Sequence, residues 1–460
     1  MADRSAPHSS PTPLTWTSKP LAQEIAYPDA AALQSSVARL GELPPLVTSG
    51  EVEHLKQLLA EAQQGKRFLL WGGDCAETLA DCTPGTITSK LKILLQMSLV
   101  LVFAGKKPVI RVGRIAGQYA KPRSSATETR SIDGRDVTLP SYFGDLVNRH
   151  PFTPEARRPE PDHLVTAYQH AGLTLNFVRS LIDAGFADIH HPEYWELGFL
   201  QSAGLTSETK QQYQALLSRL AESIEFMRAT GEKDFSVFNR VDFFTSHEAL
   251  NLWYDSAQTR QVPRKSGWWN LTTHLPWIGE RTRRLDGAHV HYAANIRNPV
   301  GVKVGPSTTP GELVALIDAL NPAREPGRLV LVPRMGAGKI EKALPALVRA
   351  AREHASPVLW AADPMHGNGL TTTTGIKTRR VEDILREVEL AWDICKAEGS
   401  HLGGVHVELT GQDVTECLGG ASNLTEGDLS RNYASFCDPR LNYEQSMELA
   451  FVLARKMAQS

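Results

Sequence analysis

Eight short apolar runs, most closing on a charged or otherwise reactive residue, alternate with helical patterns along this 460-residue chain. They are FLLWGGD (68–74), PVIRVGR (108–114), VDFFTSHEA (241–249), HLPWIGERT (274–282), VGVKVGP (300–306), RLVLVPRMG (328–336), PVLWAADPMHG (357–367) and GGVHVEL (403–409). Several are separated by segments with apolar residues three and four apart, such as PGELVALIDAL and IEKALPALVRAAREHA. A strand joined to the next by a crossover helix pairs with it in parallel, and eight such units predict a (β/α)8 TIM barrel. In each run the β-prone residues come first. The polar residue follows at or just past the C-terminal end: Cys75, Arg114, Glu280 with Arg281, Lys303, Arg334, His366 and Glu408. Barrel sites are assembled at that end from several strands at once, so these side chains are expected to converge. The segment ADIHH (187–191) reads as a connection rather than a ninth strand.

Two regions lie outside this repeat. Residues 1–65 read as an N-terminal extension, with helical spacing around DAAALQSSVARLGEL and GEVEHLKQLLAEAQQGK, and 66–460 as the catalytic barrel. Within 201–235, Tyr213, Leu216, Leu217, Leu220, Ile224 and Met227 form one amphipathic face, which predicts an inserted helical hairpin.

A net charge of −2 gives no global field for nucleic acid or a membrane surface, so the cations must act locally. No apolar run approaches the ~18–20 residues that span a bilayer. The start, MADRSAPHSSPTPLTW, has no apolar signal core, and a cytoplasmic protein is expected. Five scattered cysteines without a CxxC pair argue against a disulfide framework and a zinc knuckle.

Cys75, His366, Glu408 and Asp438 stand in the polar-tipped motifs WGGDCAET, DPMHG, HVELTG and CDPRLN. A thiolate, an imidazole and two carboxylates suit a divalent transition metal. Taken singly they have plainer readings: a small buried cysteine, a structural histidine, a turn aspartate. His406 and Glu408, two apart on a strand, point the same way. RVGRIAGQYAKPRS carries Arg114, Lys121, Arg123 and Ser124 among glycines and reads either as a solvated basic loop or as an anion cradle. MGAGKIEK lacks the GxxxxGK[ST] spacing and SHEAL is not HExxH, so nucleotide-loop and zinc-peptidase chemistry are disfavoured.

WGGDCAET, RIAGQYAKPRS, SHEAL, WIGERTRRLDGAH, NPVGVKVGP, RMG, DPMHGN, GGVHVELTGQDVTECLGG and CDPRLNYEQSMELAF occur in this order. Over about residues 66–456 the chain resembles the type II 3-deoxy-D-arabino-heptulosonate 7-phosphate (DAHP) synthases. The resemblance implies condensation of phosphoenolpyruvate with erythrose 4-phosphate on a (β/α)8 barrel, the first step of the shikimate pathway. It also implies one divalent metal ion, Mn2+ or Co2+, on Cys75, His366, Glu408 and Asp438. Arg114, Glu280, Arg281, Lys303 and Arg334 become the phosphoenolpyruvate site, with Lys303 and Glu280 catalytic. Lys121, Arg123 and Ser124 become erythrose 4-phosphate contacts. A homo-oligomer with aromatic amino acid effectors is implied as well. The loop SSATETRSIDGRDVTLPSYFGD beside KPRS and the aromatic segment PRKSGWWNLTTHLPW depart from the pattern and bear on the second substrate and on regulation. An amino-DAHP synthase using an imino sugar phosphate, or a catalytically silent regulatory barrel, are the alternative readings. Cys437, next to Asp438, is expected to lie near Cys75, where oxidation would join the two and expel the metal.

Overall fold

A computed structural model describes residues 12–185 and 241–459, with five positions between 211 and 222. The hairpin expected at 201–235 and the ADIHH segment fall outside the described residues, apart from those positions.

The eight sequence runs supply the eight strands of one sheet: β1 Phe68–Gly73, β2 Val109–Arg114, β3 Phe244–Thr245, β4 Trp277–Ile278, β5 Val300–Val304, β6 Leu329–Pro333, β7 Leu359–Ala362 and β8 Leu402–Glu408. Their order is β3-β2-β1-β8-β7-β6-β5-β4, and every pair is parallel. The sheet curls until its edges meet. Trp277 N–H donates to His247 O at 3.2 Å, Ala249 N–H donates to Trp277 O at 2.9 Å, and Glu248 and Trp277 form a parallel bridge. β3 and β4 are only two residues long, so most of VDFFTSHEA and HLPWIGERT continues as irregular chain near the site.

Strand alternation sorts the side chains. Leu69 and Trp71 of β1, Ile110 and Val112 of β2, Val330 and Val332 of β6, and Leu359 and Ala361 of β7 fill the interior in one buried cluster. Gly301 on β5 leaves the space this requires, since a Cβ there would lie 2.7 Å from the Trp71 ring. Phe68, Leu70, Val405 and Val407 face outward against the helices Pro84–Gly105 and Tyr443–Ala458. The first of these helices amends one expectation, because its 22 residues are long and apolar enough to cross a membrane. Its composition fits its place here: Ile93, Leu94, Met97 and Leu101 are buried between the sheet and the C-terminal helix, and an inner helix is apolar all round.

Both helices expected before residue 65 form, over Ala30–Glu42 and Ser49–Gln63. The second starts in a capping box between Thr48 and Glu51. Its Leu55, Leu58, Leu59 and Ala62 join the interior cluster with Leu69, Trp71 and Leu359, so this helix closes the end of the sheet where the strands begin.

Candidate active site

At the opposite end, where the strands finish, a cavity of about 200 Å3 is lined by Cys75, Arg114, Lys121, Glu248, Glu280, Arg281, Lys303, Arg334, His366 and Asp438, among others. Nine of the twelve predicted site residues therefore share one space, and Glu408 lies fully buried against several of them. Arg123 and Ser124 do not line it: Ser124 is exposed, and the Arg123 backbone N–H donates to Gln23 Oε1 at 2.7 Å. Lys121 reaches inside instead.

The inward-facing positions explain the convergence. Each inner row ends on a polar residue: Arg114 after Val112, Arg334 after Val332, Asp363 after Ala361, and Glu408 after His406. The Sγ of Cys75 and carboxylate oxygens of Glu408 and Asp438 lie within 4.8 Å of one another, a group able to hold a metal ion. His366 Nε2 is 3.1 Å from Glu408 Oε1, and its Nδ1 is 2.7 Å from Asp363 Oδ2. A carboxylate on Nδ1 keeps the proton there and turns the Nε2 lone pair toward Glu408. Two lone pairs that close require a proton or a cation between them, so this donor set fits a divalent ion.

Cations already answer these donors. Lys121 Nζ is 2.8 Å from Cys75 Sγ and 2.6 Å from Asp438 Oδ2. Arg114 Nη2 is 3.1 Å from Glu408 Oε1, and Arg379 Nη1 is 2.8 Å from Glu408 Oε2. Lys121 pulls the Asp438 carboxyl well below its usual range despite burial. Burial would raise Glu408, but His366, Arg379, Lys121 and Arg114 hold it well below. The Cys75 thiol is pushed up by burial, by its hydrogen bond with Cys437 and by Glu408, with Lys121 opposing.

Lys303, 4% exposed, is bound by Asp363 and lies 3.0 Å from His406 Nδ1. Burial lowers it to about 8, with Arg114 adding to the shift and Asp363 opposing it. His406 stacks on Trp71 at 3.9 Å and has Arg114 Nη1 2.9 Å from its Nε2, so it packs against both cations from within the core, its imidazole accepting from one of them. Glu280 pairs with Arg283 at 3.1 Å.

Two distant motifs meet at Asp438 through a buried ion chain. Asp74 of WGGDCAET, fully buried, holds Lys90 and Arg440 of CDPRLN, the latter at 2.5 Å; Arg440 Nη2 is 2.8 Å from Glu416 Oε1. That chain seats the 437–440 turn beside Cys75. Cys437 packs with Cys75 and Tyr142, as expected, and both thiols are free.

Four contributors lie outside the predicted set. Asp363, of the DPMHG motif, orients His366 and holds Lys303. Arg379 neutralises Glu408. Glu248 of SHEAL lines the cavity with an unpartnered Oε1, its carboxyl raised by burial, and Gly279 leaves room for it, since a Cβ there would lie 2.1 Å from that oxygen. Glu77 accepts N–H bonds from Ala116, Gly117 and Gln118 at 3.1, 3.0 and 2.9 Å and so shapes the loop that carries Lys121. Ala116 holds a left-handed φ of 60° in that loop. Glu77→Gln turns an amide donor toward those donors, at roughly 1–3 kcal/mol. A fall of roughly tenfold or more in kcat/KM, with KM rising as Lys121 loosens, is expected in steady-state kinetics; unchanged KM would contradict the positioning role.

The chain matches the model of the class-II DAHP synthetase family over residues 11–454. It is 48% identical over 440 residues to the phospho-2-dehydro-3-deoxyheptonate aldolase of Streptomyces coelicolor, covering 96% of each chain. The protein of that name from Neurospora crassa is 46% identical over 458 residues, 96% of this chain and 93% of its own. The one from Mycolicibacterium smegmatis is 42% identical over 445 residues, 95% and 93% of the two chains. A match from end to end, with the motif side chains gathered in one cavity, leaves a single assignment: the chain belongs to the class-II DAHP synthetase family.

Proposed function

We propose that this chain is a 3-deoxy-7-phosphoheptulonate synthase, condensing phosphoenolpyruvate with erythrose 4-phosphate on a closed (β/α)8 barrel, with residues 1–65 as an extension. The observation that carries it is the shared cavity, in which a thiol, an imidazole and two carboxylates adjoin a ring of cations. Phosphoenolpyruvate-binding cations are Arg114, Arg281, Lys303 and Arg334, which offset its carboxylate and phosphate by charge-assisted hydrogen bonds. Lys121 sits between that ring and the donors and reaches either substrate; Arg123 and Ser124, outside the cavity, serve the far phosphate of erythrose 4-phosphate. Cys75, His366, Glu408 and Asp438 would hold one Mn2+ or Co2+, which when bound supplies Lewis acidity to the aldehyde oxygen.

C3 of phosphoenolpyruvate forms the new bond to the aldehyde carbon, whose oxygen takes up a proton. Water adds at C2 and gives up a proton, and the C2–O bond to phosphate then breaks. Glu280, with its unpartnered Oε2, positions that water, and Lys303 stabilises the charge that passes through C2. Holding both substrates in contact geometry supplies much of the rate. Phosphoenolpyruvate consumption that requires erythrose 4-phosphate, with a product of DAHP mass, tests the reading; a product carrying an amine in place of one hydroxyl, and so slightly lighter than DAHP, would select the amino-DAHP alternative.

A cytoplasmic homo-oligomer with aromatic amino acid effectors completes the proposal, supported by the family membership. Titration of Trp, Phe and Tyr against activity checks the last point, and three flat curves would remove it. Oxidation is expected to join Cys437 to Cys75, which already pack together. Treatment with diamide should remove two free thiols per chain and inactivate reversibly, whereas Cys437→Ser should resist. Equal sensitivity of that variant would contradict the pairing.

A further inference from the structure

A second cavity, of about 310 Å3, opens at the end of the sheet where β1 and β8 begin. Arg67, Lys107, Lys396 and His401 line it, over a floor that includes Phe68 and Trp392. The two rings lie 6.2 Å apart, and Trp392 is half-buried. No Asp or Glu is among the lining residues. Arg67 is already paired with Glu61 at 2.5 Å, and His401 Nε2 is committed to Ala62 O at 2.9 Å. A carbonyl only accepts, so that nitrogen carries the proton. Lys107 and Lys396 have no acidic partner among the described residues.

Three helices end around this cavity, and last-turn lysines often do no more than complement helix dipoles. Here one carbonyl in the last turn of each helix is already taken up by the backbone. Ala62 O accepts from Gly65 N–H at 3.0 Å, Val102 O from Lys106 N–H at 2.9 Å, and Cys395 O from Ser400 N–H at 2.8 Å. Among the described residues neither Lys107 nor Lys396 donates its ammonium to a helix-end carbonyl, so both face the cavity without a bound partner. The cavity reaches the lower end of the usual ligand-site range of ~300–1,000 Å3, more than a bare phosphate needs.

We propose that this cavity is a second ligand site, independent of the catalytic one, that takes a small aromatic carboxylate carrying no amine. The ring lies on Trp392 and Phe68 and the carboxylate meets Lys107 and Lys396. A zwitterionic amino acid fits worse, because its ammonium would enter a wall that offers cations and no acid. β1 runs from Phe68, in this cavity, to within two residues of Cys75, and β8 runs from Leu402 to Glu408, so two strands connect the sites.

The matched pair 3-phenylpropanoate and L-phenylalanine, which differ only in the amine, tests this by titration calorimetry on the full-length protein. Saturating phosphoenolpyruvate occupies the cations at the other end. Saturable binding of 3-phenylpropanoate is expected, with L-phenylalanine and inorganic phosphate each at least ~10-fold weaker. The double variant Lys107→Ala, Lys396→Ala should weaken 3-phenylpropanoate by at least ~10-fold, about 1.4 kcal/mol, with turnover unchanged. Equal, lysine-dependent binding of L-phenylalanine or phosphate would overturn the ligand class. Absence of saturable binding, with a lowered Tm in the double variant, would overturn the site and leave the lysines as helix-end charges. A failure of phosphoenolpyruvate to bind would concern the catalytic end alone, since this site is read through its own two lysines.

Discussion

Lys303→Ala is expected to lower kcat/KM for phosphoenolpyruvate by about 10²–10³-fold, the usual cost of removing one donor that stabilises developing charge in a water-excluded site. The ammonium is buried, held by Asp363 beside His406, and lines the cavity that Arg114 and Arg334 share. Its value near 8 sets a pH signature. This group is cationic below about 8 and loses its charge as pH rises through that value, so kcat/KM should fall on the alkaline side. Bound substrate anions favour the charged form, so the limb in kcat should lie at higher pH. Lys303→Arg keeps a charge at all these pH values and should remove the alkaline limb even where its plateau is lower. Near-normal turnover in Lys303→Ala would refute the role.

The second large effect concerns the donors. Replacing Glu408 with alanine is expected to abolish metal retention and to destabilise the fold by about 3–5 kcal/mol, the cost of breaking a buried ion pair from one side. Glu408 is fully buried and answers Arg114 at 3.1 Å and Arg379 at 2.8 Å, so two buried guanidiniums lose this carboxylate without it. Stripping the ion from the native chain should behave differently. Lys121, Arg114 and Arg379 already interleave with Cys75, Asp438 and Glu408, so the stripped protein should remain folded by circular dichroism while losing activity. Calorimetry separates the two: a Glu408→Ala melting curve matching that of the stripped native protein would contradict the dual role of this carboxylate.

Much of this was legible in the sequence, for identifiable reasons. Interior positions alternate along a strand, so a polar residue that ends an apolar run must emerge at the mouth; this located Arg114, Lys303, Arg334, His366 and Glu408. What escaped had no such signature. Asp363 looks like a turn-former before Pro364, and it is one, its Oδ1 accepting Met365 N–H at 2.9 Å; only the folded arrangement brings its other oxygen to His366 and Lys303. Arg379 sits on a short outlying hairpin strand, and Glu248 on irregular chain where β3 has already ended. The helix Ser49–Gln63 reads as an amphipathic extension, yet its apolar face is the floor of the interior, because a curled sheet leaves an open end that something must fill. KPRS read as one anion-binding unit, but Lys121 and Pro122 line the cavity while Ser124 is exposed and the Arg123 N–H is held by Gln23.

The most direct test is metal content measured beside turnover. After chelation the protein should hold no divalent ion and show no erythrose 4-phosphate-dependent loss of phosphoenolpyruvate. Returning Mn2+ or Co2+ should restore both to one ion per chain, in the native protein and not in Cys75→Ser or His366→Ala. Full activity in the ion-free protein, or equal metal binding by those variants, would contradict the account.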